Sequence, residues 1–177
     1  EGISIGDSLL DYMTEDEILE GIEKSERYFF LNEPNKYAEV NLKKDFRTYD
    51  HVSVFVKDNL ANQYIINKNE KYVIQMIRGT ITYNEDFDSC MVKRNEIAEI
   101  LSEMFPNAQK TERMGKHSAD PSGRSITDAV FFDLDLGAQI TAHCQDFEET
   151  FRIEKNWLDT LNIAIQTKEL RSWFNDR

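Results

Sequence analysis

The stretch DAVFFDLDLGAQITAHCQ, Asp128 to Gln145, predicts two neighbouring β-strands. In both of its arms every second residue is apolar, a period that is typical of a β-strand with one buried face. The turn between the arms, LGAQ, is too short for the crossover that parallel strands need, so we expect the two strands to pair antiparallel. The apolar residues that define the two buried faces are Val130, Phe132, Leu134, Ile140, Ala142 and Cys144.

The same alternation recurs in four further segments, so six strands are expected in all. In the third of them Gly79 indicates a bulge or a close contact with another part of the chain. Most links between successive strands are short, which favours antiparallel pairing throughout. The predicted strands are residues 37–43, 51–57, 72–83, 128–135, 139–146 and 160–167.

Two helices are marked by their capping residues. Thr14 and Glu17 form a capping box, which predicts a helix from about Glu15 to about Lys24. Asp86 or Asp88 caps the second helix, which ends before Pro106. Shorter helices are predicted within 146–157 and 168–176. The predicted buried stripes are Ile18, Leu19 and Ile22 in the first helix, and Ile97, Ile100, Leu101, Met104 and Phe105 in the second.

The order of these elements predicts an α+β fold. We expect an antiparallel sheet of about six strands with helices on one face, because alternating strands need one dry face and amphipathic helices supply it. The chain is long enough for one domain, residues 1–177. A helix and three strands occur twice in this order, which suggests two pseudo-repeated halves, about 1–84 and 85–177.

The first third of the chain also carries a resemblance. An IGDS turn at Ile5–Ser8, a capped helix with an acidic first turn and three antiparallel strands resemble the exported outer-membrane assembly lipoproteins of the SmpA/OmlA type. They are also similar to the β-lactamase-inhibitor-protein (BLIP-like) fold, which repeats such a unit in tandem. Asp7 stands where that family usually has Met. The chain as a whole is similar to uncharacterised small exported bacterial proteins, and this resemblance implies a bacterial, exported protein.

The charge of the chain argues against two classes of partner. There are 33 acidic and 21 basic residues, for a formal net charge of −12. Such a charge repels phosphate backbones and anionic lipid, so we expect no binding to nucleic acid. No apolar run reaches the roughly 20 residues of a membrane helix, so we expect no membrane insertion. The chain starts at Glu1 rather than at Met, as expected of a product whose leader has been removed.

Two cysteines, Cys90 and Cys144, leave two interpretations open. They are either free buried thiols of a cytosolic protein or a disulfide formed in an oxidising compartment. Cys90 lies seven positions before Ile97, two helical turns along the same face, and Cys144 belongs to the buried face of its strand. Both thiols should therefore point into one helix–sheet interface, which favours a disulfide in a periplasmic or secreted protein.

The motif GDSL, Gly6 to Leu9, matches the nucleophile motif of a family of esterases and lipases. A serine hydroxyl needs an imidazole to take its proton and a carboxylate to orient that imidazole. No Asp in this chain is followed by His three positions later, and the alternating strands are not those of a parallel sheet. We therefore interpret Ser8 as a turn residue and expect no catalytic residues and no enzymatic activity.

Metal and cofactor sites are not indicated either. His51, His117 and His143 lie far apart, without the spacing of zinc ligands. The motif DFD, Asp86 to Asp88, lacks the glycine of a calcium loop, and helix capping accounts for both acids. We expect no metal and no cofactor.

One candidate site is the long polar segment Pro106 to Ser125. A loop of this length is uncommon in a compact domain and is often functional, although a linker between halves is the simpler interpretation. DPSG, Asp120 to Gly123, is typical of a tight turn. The candidate binding residues are Arg113, Lys116, His117, Ser118, Asp120 and Arg124.

These observations leave three hypotheses for the function. The first is a non-enzymatic, exported module that holds a protein partner with its sheet face or this loop. The second is a protein that binds a small ligand or an envelope component in a pocket between sheet and helices. The third is an enzyme of unrecognised type.

Overall fold

The computed structural model describes residues 2–25, 36–43, 45–58, 60–84 and 86–176. Its four α-helices are α1 (Glu15–Ser25), α2 (Phe87–Met104), α3 (Glu149–Lys155) and α4 (Lys168–Asn175). Its strands are β1 (Tyr37–Asn41), β2 (His51–Lys57), β3 (Ile74–Thr82), β4 (Gln109–Lys116), β5 (Ile126–Asp133), β6 (Gln139–Asp146) and β7 (Thr160–Gln166).

The strands form one antiparallel sheet in the order β1-β2-β3-β7-β6-β5-β4. The α+β class and the antiparallel pairing are therefore confirmed, and each of the six predicted strands is present within a few residues of its predicted bounds. The predicted number of strands, about six, was too low by one. The additional strand, β4, lies inside the segment that was predicted as a loop. Its sequence, QKTERMGK, does not predict a strand, because it has no apolar alternation and both faces of the strand are exposed.

Contacts along the chain divide it into two compact units. The first consists of residues 1–46, 51–78 and 165–177, and the second of residues 47–50 and 79–164. The first unit thus includes the carboxyl-terminal helix, so these units differ from the predicted halves 1–84 and 85–177. The repeat of a helix and three strands is not confirmed, and the single domain stays a prediction.

The first unit covers its part of the sheet on both faces. On one face, α1 packs Ile18 and Ile22 on Val40 and Val54. On the other face, α4 places Trp173 against Tyr37, with ring centroids 5.0 Å apart. Neighbouring residues of a strand point to opposite faces, so the two helices lie on opposite sides. The prediction of helices on one face only is therefore wrong, because aromatic residues at the supposedly polar positions of β1 and β2 form a second buried surface.

The capping box that starts α1 is confirmed. The Thr14 backbone N–H donates to the Glu17 carboxylate at 3.0 Å, and the Glu17 N–H donates to the Thr14 hydroxyl at 3.4 Å. Leu19, predicted to be buried, is 50% exposed. The apolar contact of the helix with the sheet is narrower than its sequence suggests, because the buried residues of α1 are Ile18, Ile22 and Ser25.

The second unit is built around α2, whose amino terminus is capped by Asp86. Its disulfide between Cys90 and Cys144 joins the first turn of α2 to β6, with the two Cα atoms 6.0 Å apart. The predicted disulfide is thus confirmed. Both cysteines are buried against Leu161 of β7, and Ile97 packs at the edge of the same cluster.

The predicted stripe of α2 is wrong at its carboxyl-terminal end. Ile100 and Met104 are 56% and 62% exposed. The buried positions are instead Cys90, Arg94 and Ala98, spaced four apart. A buried arginine was not expected from the sequence; its guanidinium is paired with Asp128 of β5.

Gly79 of β3 is a close-packing site, as predicted. A Cβ atom at this position would lie 2.5 Å from the nearest ring carbon of Tyr49. The ring of Tyr49 therefore occupies the space that a side chain at position 79 would need.

Among the described residues, none of the helices is both long enough and apolar enough to cross a bilayer.

Candidate functional site

The segment Pro106–Ser125 is a strand and a tight turn rather than a long loop. β4 pairs with β5 over eight residues, from Gln109 opposite Asp133 to Lys116 opposite Ile126. The prediction of an unstructured loop is therefore wrong. Among the strands that the structure describes, β4 is the last on its side of the sheet, so one of its two edges has no neighbouring strand there.

The ladder with β5 determines which backbone groups of β4 face outward. The His117 N–H donates to the Ser125 carbonyl at 2.8 Å, immediately after β4. Along an antiparallel ladder, hydrogen-bonded pairs alternate with pairs that are not bonded. Residues 109, 111, 113 and 115 therefore bond to β5. The outward-facing N–H and C=O groups belong to Lys110, Glu112, Met114 and Lys116.

The side chains of β4 are exposed at every position except Thr111, which is partly buried. Lys110 and Glu112 form an ion pair of 2.9 Å within the strand. Arg113 and Lys116 have no carboxylate within ion-pair distance in the part of the chain that the structure describes. The strand has three basic residues and one acidic residue in a protein whose net charge is −12, so this edge is locally positive.

Asp120 organises the turn that follows β4. Its carboxylate accepts hydrogen bonds from the N–H groups of Ser122 and Ser125, both at 2.8 Å, and from the two serine hydroxyls. Burial by itself raises the pKa of Asp120, but these hydrogen bonds outweigh it and hold the pKa well below its usual range. A carboxylate used in this way stabilises the turn.

His117 belongs to an aromatic cluster that also contains Phe147, Phe151 and Trp157. Its ring centroid lies 4.9 Å from that of Phe147 and 5.8 Å from that of Trp157. Its Nδ1 accepts from the Ala119 N–H at 3.2 Å, and its Nε2 lies 3.1 Å from the side-chain amide nitrogen of Gln145. Burial lowers the pKa of His117, although the charge of Asp120 acts in the opposite direction.

The six predicted binding residues thus separate into two groups. Arg113 and Lys116 lie exposed on the β4 edge, and Ser118 is exposed at the turn. His117 and Asp120 have structural contacts, and Arg124 pairs with Glu148 at 2.9 Å. Binding by any of them stays a prediction.

A pocket of about 330 Å³ lies beside the aromatic cluster, where β6 leads into α3 and β7 begins. Its polar lining was not predicted from the sequence. Asp159 is 3% exposed and accepts from the Phe147 N–H at 2.8 Å. Burial raises the pKa of Asp146, and the negative charge of Asp159 adds to this effect. The lining residues are Asp146, Phe147, Glu149, Arg152 and Asp159.

This pocket does not have the ligand set of a metal centre. Across the described ranges, no group of three or more His, Cys, Asp or Glu side chains is placed to hold a metal ion. The sequence signal for the pocket is the pair of aspartates, Asp146 and Asp159, on either side of α3. The two aspartates come together because the chain turns back through α3 into β7. The alternation of residues along the strands does not predict this turn.

Ser8 caps a short 3-10 helix, Leu9–Asp11. It is 2% exposed, and its hydroxyl donates to the Lys71 carbonyl at 2.8 Å. The hydroxyl also accepts from the Leu10 N–H. These contacts agree with a structural interpretation of the GDSL motif. That the protein is not an enzyme stays a prediction.

Comparisons with known proteins identify no relative of this chain. No family model, curated protein or solved structure matches it. The resemblance to the SmpA/OmlA-type and BLIP-like modules therefore stays a prediction.

Proposed function

We propose that this protein binds a protein partner by taking up an extended segment of that partner as an additional strand beside β4. The observation that carries this proposal is the outward-facing backbone of Lys110, Glu112, Met114 and Lys116 on an exposed edge strand of eight residues. An edge strand of this kind is a template for another chain. Strand addition is a common mode of peptide recognition, in which main-chain hydrogen bonds supply the affinity.

The opposite edge strand of the sheet provides a contrast that supports the choice of β4. In β1 the first four residues are buried, and Val40 is completely inaccessible to solvent. In β4 seven of the eight residues are exposed. A partner strand beside β4 would thus find side chains on both faces that are free to contact it.

We also propose that the protein is exported and acts in the periplasm or outside the cell. The support for this is the disulfide between Cys90 and Cys144, since disulfides persist in oxidising compartments. The structural contacts of Ser8, the serine of the GDSL motif, support a non-enzymatic binding role.

The test uses peptides selected from a random heptapeptide library displayed on phage, with the whole protein as the target. The selected peptides are then measured by calorimetry against Met114→Pro and Met114→Ala. Proline removes one outward N–H and is tolerated at edge positions whose N–H faces solvent. Alanine changes the same side chain but keeps the N–H, so it is the matched control.

We expect Met114→Pro to weaken binding about tenfold or more, since it loses a hydrogen bond and introduces a steric clash, whereas Met114→Ala binds nearly as the wild type does. Thermal unfolding checks that both variants are folded. Hydrogen exchange of the wild type supplies a second measurement, in which the amides of residues 110, 112, 114 and 116 should become protected on binding. Peptides that bind without protecting these amides would contradict strand addition.

A small-ligand-binding protein is the second candidate function, favoured by the 330 Å³ pocket. Three carboxylates and one guanidinium line it, which suits a small organic cation. The probe is 1,4-diaminobutane, titrated into wild type and Asp146→Asn. Binding that is lost in the variant would support this candidate, and equal heats in both proteins would exclude it.

A further inference from the structure

We infer that the segment taken up beside β4 is acidic, runs antiparallel to it, and places two carboxylates three residues apart, opposite Lys116 and Arg113. This inference rests on the proposed function and adds the chemistry of the partner. Its basis is the juxtaposition of outward-facing backbone groups with two exposed cationic side chains that have no ion-pair partner among the described residues.

The charges of β4 favour an acidic occupant. Lys110 is already paired with Glu112 at 2.9 Å. The positive charges of Arg113 and Lys116 are not neutralised in this way, and both side chains are exposed. Opposite charges directly across a strand pair attract, and like charges repel. A segment with acidic residues at these two positions neutralises the edge, whereas a basic segment increases its charge.

The direction of the added strand follows from the sheet. Every strand pair in this sheet is antiparallel, and antiparallel pairs are slightly more stable per residue than parallel pairs. An antiparallel segment, read from its amino terminus, meets Lys116 first and Arg113 three residues later. These two residues lie on opposite faces of the sheet, so the two acidic side chains of the partner also alternate in face.

The β4 residues between Arg113 and Lys116 also restrict which partner side chains can lie opposite them. Met114 is 64% exposed and offers an apolar contact to the residue opposite it. Gly115 has no neighbouring atom within 4 Å of where a Cβ would be, so a large side chain can lie across it. Glu112, next along the strand, is already paired with Lys110 and leaves the position opposite it open. The expected pattern is thus acidic, large, apolar, acidic.

A second copy of the chain is a less suitable occupant. Each copy has a net charge of −12, so two copies repel each other over the whole surface at low ionic strength. An acidic segment is attracted locally by the positive edge of β4. Only a few residues of the partner then lie near this negatively charged protein.

The experiment compares two synthetic peptides against the whole protein by fluorescence anisotropy. The first is acetyl-Thr-Glu-Tyr-Val-Glu-Lys-Thr-amide, and the second has Lys in place of both Glu residues. We expect the first to bind roughly tenfold more tightly at low salt, and the difference to shrink at high salt. The double variant Arg113→Glu/Lys116→Glu should reverse the preference between the two peptides.

A matched control changes the same charge elsewhere. Lys93 and Lys155 are exposed on α2 and α3, so Lys93→Glu/Lys155→Glu has the same net charge as the edge variant but an unaltered β4. It should keep the wild-type preference. Equal loss of preference in both double variants would show that net charge alone is responsible and would overturn the inference.

Different results would contradict the acidic segment and the strand addition on which it rests. If library peptides bind β4 but show no enrichment of acidic residues, strand addition stands and the acidic segment is wrong. If no peptide depends on the Met114 N–H, strand addition itself is wrong. A concentration-dependent dimer that Met114→Pro abolishes would assign the edge to a second copy and would overturn the acidic partner.

Discussion

Arg94 and Asp128 show how much a single pair of side chains can determine. They form a buried ion pair between α2 and β5, in which the two side chains are 6% and 13% exposed. The Arg94 Nε has no hydrogen-bond partner in the part of the chain that the structure describes. Removing both charges from water costs several kcal/mol, which their attraction offsets only while both partners are present.

We therefore expect Asp128→Asn to lower the free energy of unfolding by about 3 kcal/mol, because it leaves the Arg94 charge buried without a carboxylate. Urea denaturation at neutral pH measures this. The double variant Arg94→Met/Asp128→Leu, which removes both charges, should recover most of the loss. An equally unstable double variant would show that the pair contributes through its shape rather than its charge.

Asp120 makes a pH-dependent contribution to stability. Its pKa is lower in the folded protein than in the unfolded chain, so its stabilisation is complete above the unfolded value of about 4 and is lost as the pH falls further. Asp120→Asn should unfold at a lower urea concentration than the wild type at neutral pH, and the difference should narrow in acid. A gap that stays constant from neutral to acidic pH would contradict this role.

Among the secondary-structure elements, α2 is held to the sheet by its disulfide. Cys90 and Cys144 are 54 residues apart in sequence, and closing a loop of that length is worth about 4 kcal/mol in the chain-entropy description. Cys90→Ala/Cys144→Ala should therefore lower the free energy of unfolding by about that amount. Chemical denaturation of the oxidised wild type against the variant checks the value.

The control for this prediction is dithiothreitol, which should destabilise the wild type and leave the double variant unchanged. A wild type whose stability does not depend on the reductant, once the thiols are shown to be free, would mean that the helix–sheet packing alone carries the stability of this region.

For the molecule as a whole, α4 supplies stability to the unit that contains the amino terminus. Trp173 is 4% exposed and packs against Tyr37 of β1. We expect Trp173→Ala to cost about 3 kcal/mol of unfolding free energy, as is usual for removing a large buried aromatic side chain. Trp173→Phe keeps a ring against Tyr37 and should cost clearly less. Thermal and urea unfolding of the two variants measure these losses. Equal losses in both variants would contradict a role of the aromatic ring in packing.

Elements with strong local patterns were predicted well. β2 and β6 have the bounds that alternation in HVSVFVK and QITAHCQ predicts, and the capping residues Thr14 and Asp86 act as expected. β4 was missed because an edge strand that is exposed on both faces needs no apolar residues, so its sequence resembles that of a loop. The exposed positions Leu19, Ile100 and Met104 were misjudged because periodicity shows which side chains share a face and not how wide the covering surface is.

Alternation, capping and turn residues act between neighbours in the chain, so the sequence predicted six of the seven described strands and the four described α-helices. It also supported the disulfide, because the helical face of Cys90 and the strand face of Cys144 could both be read from spacing. The sequence did not show that α4 packs on Tyr37, that Asp146 and Asp159 line one pocket, or that β4 has an edge with no partner among the described strands. These features depend on which distant segments become neighbours, and that is settled by the packing of the whole chain rather than by the pattern of any one stretch.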